Sequence, residues 1–226
     1  MSKGFGGTRN SRQNKKSGGV KITNTSNRPQ SHIDAMIDEY RALEKEFGNE
    51  VSAINFVEGK VMGAPAHYQN EDNIIEIGSV KAGGIANRFD DPVLNAKVVM
   101  AHEYGHSFPV KIKPEINVTK MRREGYAEKY IERAVEYHNK LVSEYNNDPN
   151  KALNDRMNNL YKEYCKNEKR NGSVNGRISK YAFEDVREFA AEAFALNRIR
   201  GGNSNNYYVK EVMSILKQYP KIKRNR

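Results

Sequence analysis

Lys97-Val98-Val99-Met100-Ala101-His102-Glu103-Tyr104-Gly105-His106 is the stretch from which the rest of the chain can be read. On an α-helix, His102 and His106 stand one turn apart on the same face, so both imidazoles can reach one ion. Zinc takes such nitrogen ligands at about 2.0–2.1 Å. Glu103, beside the first histidine, points toward the open side of that ion, where it can take a proton from bound water. The apolar run 98–101 predicts that the helix is buried. Gly105 inside a helix costs ~1 kcal/mol relative to alanine. That cost suggests that another backbone, or a substrate, passes close by. The plain alternative is two histidines satisfied in a core or on a surface.

A catalytic zinc site needs a third protein ligand, with water in the fourth position. A second motif offers one: Arg187-Glu188-Phe189-Ala190-Ala191-Glu192-Ala193-Phe194-Ala195. Its two acids are spaced i, i+4 and repel unless something cationic binds them. Glu188 is assigned to the metal. Glu192 is expected to orient His102 through its other ring nitrogen. An ordinary charged stripe on a surface helix is the competing reading. Tyr181 lies seven residues before Glu188. Its hydroxyl could donate to the oxyanion formed when water adds to an amide, or the ring could simply pack. His32, His67 and His138 sit in no motif and are read as structural or solvated.

Outward from these motifs, a helix is expected from Ser31, capped by Ser31 with Asp34 in the capping-box position, and ended by Gly48. Residues 51–57, 61–67 and 74–80 are short and β-branched and predict strands. Ala82-Gly83-Gly84 reads as a turn or bulge. The first motif helix should start at Pro92, with Asp90 or Asp91 as its cap. Residues 122–145 and 151–169 read as long charged helices separated at Asn146-Asn147-Asp148-Pro149, and residues 170–176 as a loop. The second motif helix should run from about 184 to 200, and a last helix from 206 to 218. The expected fold class is α+β: a small mixed sheet, then the His-Glu-x-x-His helix and a glutamate-bearing helix, with a mostly helical C-terminal half.

Charge is unevenly distributed. The formal net charge is +10. Residues 1–30 contain seven basic residues and no acid, and residues 217–226 contain five and no acid. The other 26 basic residues face all 28 acids within 31–216, which leaves the middle slightly negative. Three segments are therefore expected: a disordered basic tail 1–30, a folded domain 31–216, and a basic tail 217–226. The tails could hold nucleic acid or an acidic partner, or could simply be solvated. No run approaches the ~18 apolar residues of a membrane helix, and residues 1–30 lack the apolar core of a secretory signal. One cysteine, Cys165, rules out an intrachain disulfide and suits a reducing compartment. The expected location is cytoplasmic or virion-associated.

Taken together, the His102–His106 motif, Tyr181, and the string from Glu188 to Phe194 resemble the anthrax lethal factor-like zinc peptidases. They also resemble the related metallopeptidase-like domains of phage minor head proteins. The resemblance implies a zincin-like fold of the gluzincin type and a Zn2+ cofactor. It makes His102, His106 and Glu188 the ligands, Glu103 the general base and Tyr181 an assisting residue, with a protein or peptide substrate. Two features depart from the family pattern. The string reads Phe-Ala-Ala instead of Phe-Phe-Ala, and 82 positions separate His106 from Glu188, so residues 120–170 read as a helical insertion or lid. Residues 74–80 or 81–87 would form the edge strand that pairs with substrate. One alternative is a phage or mobile-element structural protein with a metallopeptidase-like module and nucleic-acid-contacting tails. A repressor-cleaving zinc protease ranks lower, because those carry a shorter gap between motifs.

Overall fold

The computed structural model describes residues 16–17, 19–79, 89–171 and 178–223, with the side chains of 16–17 and 169–171 excluded. It is a mixed α+β structure. The elements run β1 (Lys16–Ser17), β2 (Val20–Asn24), α1 (Gln30–Phe47), β3 (Ala53–Val57), β4 (Ala66–Gln69), β5 (Ile74–Gly78), α2 (Pro92–Gly105), α3 (Val118–Arg123), α4 (Glu128–Asn146), α5 (Lys151–Asn171), α6 (Val186–Ile199) and α7 (Tyr207–Leu216). A single 3-10 turn, Tyr181–Phe183, precedes α6.

The strand order is β1-β2-β3-β5-β4. β2, β3 and β5 are parallel, and β4 pairs antiparallel with β5 at the edge. β2, α1 and β3 therefore form a β-α-β crossover. Ile75 and Ile77 are fully buried and alternate with the partly buried Ile74 and Glu76, the two-residue period of a sheet with one covered face. That covered face joins Ile54 and Phe56 to Met36, Tyr40 and Leu43 of α1 and to Val98, Met100 and Tyr104 of α2 in one core.

Several expectations are corrected here. The N-terminal segment is not a tail throughout: Val20 and Ile22 are buried, and β2 pairs with β3 in the body of the sheet. Alternating Val20 and Ile22 supply an apolar face that the flanking polar composition hides. α1 begins one residue early, behind Pro29, with no side-chain cap, and Asp34 instead accepts from the Gln30 side chain at 2.9 Å. Gly48 ends it in the left-handed conformation, φ 81°. The expected strand 61–67 starts late, because Met62 and Gly63 form a tight turn and β4 begins at Ala66.

The C-terminal helices also differ from the reading. The helix expected over 122–145 breaks at Glu124-Gly125 into α3 and α4. The 120–170 region does not act as a lid as a whole: Met157, Leu160 and Tyr164 of α5 belong to the core. Asn154 and Asn158 accept from the backbone N–H of Lys111 and Lys113 at 2.9 and 3.0 Å, which fixes the chain that follows the first motif. The C-terminal tail also docks in part. Tyr219 is buried, Ile222 N–H donates to Asn49 Oδ1 at 3.1 Å, and Lys223 pairs with Glu50 at 3.0 Å. The readings at 80–88 and 172–177 lie outside the described residues. Among the described residues, no helix is long and apolar enough to cross a membrane.

Candidate metal centre

The centre arises where α2 crosses α6. A Cβ added to Gly105 would stand 2.9 Å from Ala191 Cα and 3.3 Å from Ala191 Cβ. Glycine on one helix and alanine on the other thus permit near contact of the two backbones. His102 and His106 flank Gly105 at offsets −3 and +1, and Glu188 and Glu192 flank Ala191 at the same offsets. The crossing therefore brings two imidazoles and two carboxylates together. Asp185 caps α6 and accepts from the N–H groups of Arg187 and Glu188 at 2.7 and 3.1 Å, which sets the first turn carrying Glu188. Asp91 caps α2 with Pro92 following it.

His102 Nε2 lies 3.1 Å from His106 Nε2. Glu188 Oε2 lies 3.5 Å from His102 Nε2, and Glu188 Oε1 lies 3.3 Å from His106 Nε2. One donor atom from each of these three residues can be chosen so that all lie within 4.8 Å of one another. Donors about 2.05 Å from a tetrahedral ion stand about 3.3 Å apart. The spacing of the three donor groups is therefore that of three ligands around one ion.

His102 Nδ1 faces Glu192 Oε1 at 3.0 Å, with Glu192 only 5% exposed. A proton held on Nδ1 by that carboxylate leaves the Nε2 lone pair for an ion. Burial works against charge on His102. The Glu192 carboxylate against Nδ1, with those of Glu103 and Glu188, outweighs it, pushing the imidazole from 6.5 to about 9. Burial also opposes charge on Glu188, but His106, His102 and Arg187 hold its carboxyl below the ordinary value. Burial raises Glu103, against the pull of His102 and His106. A raised carboxyl suits a group that must accept and then return a proton.

A cleft of about 1240 Å³ opens over these residues. Its lining includes His102, Glu103, His106, Glu188, Glu192 and Tyr181, so all six candidate residues share one site. Tyr181 is half-buried in the 3-10 turn, whose N–H groups at Tyr181 and Ala182 both donate to Ser179 Oγ at 3.1 Å. Tyr104, inside the motif, faces away from the cleft: it is fully buried, and its hydroxyl accepts from Asn49 N–H at 3.1 Å.

Among the described residues the sheet ends on β1 and β4, and β4 is the edge beside the cleft. Residues 74–78 cannot serve, because β5 is bonded to β3 on one side and to β4 on the other; residues 81–87 lie outside the described residues. All four residues of β4 line the cleft, His67 among them. His67 is thus a site residue that the sequence reading left as structural. Nothing within its own segment couples it to residues 102–106; only the sheet order does. Among the described residues, none of 120–170 lines the cleft. Comparison with protein-family models, curated proteins and solved structures finds no match for this chain.

Proposed function

We propose that this chain is a zinc-dependent metalloendopeptidase of zincin-like architecture, as the resemblance to the lethal factor-like peptidases implies. The observation that carries the reading is the set of three donor groups, His102, His106 and Glu188, beside buried Glu103 in a cleft walled by β4, an edge strand among the described residues. Two imidazoles and a carboxylate form a donor set that suits zinc. When bound, zinc polarises the scissile carbonyl and makes its water acidic.

The chain's own residues do the rest. Glu192 holds His102 in the tautomer that offers Nε2. Glu103 takes the water proton and returns it to the departing amine. The Tyr181 hydroxyl donates to the carbonyl oxygen as charge develops there. The backbone of β4 pairs with an extended peptide and orients it across the cleft.

The test is cleavage of a mixed peptide library by zinc-loaded protein. Glu103→Gln should keep its zinc and lose activity by about 10²–10⁴-fold. A Glu103→Gln protein that cleaves at the wild-type rate would refute the role of Glu103.

A further inference from the structure

The connection from β3 to β4 contains a tight hairpin turn with a residue that folding does not account for. Val61 and Ala64 bond to each other in both directions at 2.8 Å, enclosing a two-residue loop. Both loop residues have positive φ, 46° for Met62 and 83° for Gly63. That is a type I′ turn, in which asparagine, aspartate or glycine is preferred at the first loop position. Met62 bears the strain of a left-handed backbone without burying its side chain. It is 81% exposed, the most exposed large apolar side chain among the described residues.

The two arms below the tip are tied to the end of β5. Gly59 N–H donates to Ser79 Oγ at 2.8 Å, Ser79 N–H to the Gly59 carbonyl at 2.9 Å, and Gly78 N–H to the Pro65 carbonyl at 2.8 Å. These bonds brace the hairpin against the end of β5. Met62 lines the same cleft as His102 and Glu103 and lies shortly before β4, the edge strand there among the described residues. Strained conformations that persist at a cleft point to function, and a thioether adapts its shape to varied apolar partners.

We propose that Met62 is a specificity residue that packs against an apolar side chain of a peptide extended along β4. The proposal rests on the peptidase reading and adds the chemistry that the rim selects.

Its test uses the full zinc-loaded chain and a peptide library randomised between apolar and polar residues. Met62→Asn suits the turn and should melt at the same temperature or higher, with zinc retained. Its kcat/KM for peptides bearing the preferred apolar residue should fall about 10-fold or more. Most of that loss should lie in KM, and polar peptides should be little affected. Met62→Leu should stay within a few-fold of wild type. An unchanged preference in Met62→Asn overturns the proposal and leaves the peptidase reading standing. So does a Met62→Asn protein that loses stability and zinc, because the role of Met62 would then be structural. A wild-type protein that cleaves no library member overturns both.

Discussion

α4 and α6 both carry acids stacked one turn apart. On α4 these are Glu128, Glu132 and Glu136, all exposed, and Glu128 finds only Arg122 on the neighbouring α3, at 2.5 Å. On α6 they are Glu188 and Glu192, and both face imidazoles. The spacing is the same and the neighbours differ. Exposed Lys129, Arg133 and Lys140 surround the acids of α4 and keep that face in water. Buried Ala190, Ala191, Ala193 and Ala195 surround those of α6 and let a second backbone approach. Acids at helical spacing do not by themselves make a site; small residues between them let a partner helix bring the histidines within reach.

Three measurements can break or sharpen that contrast. Glu192→Ala removes the carboxylate behind His102 and should weaken zinc binding about 10–100-fold, measured by competition with a chromogenic chelator. Glu132→Ala on α4 should leave the same titration unchanged. Gly105→Ala should cost about 1–3 kcal/mol in urea unfolding. The new Cβ meets the Ala191 backbone at 2.9 Å, and α2 and α6 must part to admit it. Gain in helix propensity would make the variant more stable if the helices were not in near contact.

The smallest effect is one of pH on the metal-free protein. His102 holds its proton more tightly when folded, so its contribution to stability is whole below about pH 6.5 and is lost as pH rises through about 9. Glu188, held below its ordinary value, contributes above about pH 4.5 and loses that contribution as pH falls. Urea midpoints in chelator should therefore decline from pH 6.5 to above 9. Glu192→Gln should flatten that decline; an unchanged slope would show that Glu192 does not act on His102.

Much of the site could be read from residue order, because its parts are local. The one-turn spacing of His102 and His106 and the matching spacing of Glu188 and Glu192 are helix properties, visible in any window that covers a turn. Even the reason for Gly105 was legible as a close approach, though not its partner, Ala191. What could not be read depends on long-range pairing. β4 lies at an edge because β5 inserts between it and β3, a fact of sheet order that no segment of sequence carries. His67 enters the cleft by that route, as does Met62. β2 was hidden because five residues of strand lie within a polar, basic segment, and their apolar alternation matters only once β3 lies alongside. α5 read as a charged insertion because its buried Asn154 and Asn158 serve the backbone of 111–113, a role that composition scores as polar surface.

For the site to work as proposed, residues 82 positions apart must hold one ion between them. Elemental analysis after metal removal, reloading with zinc and gel filtration tests this directly. Close to one zinc per chain is expected for the wild type and for Glu132→Ala. Glu188→Ala should hold almost none while keeping its helical circular dichroism. A folded Glu188→Ala that retains one zinc, or a wild type that binds none, would contradict the account.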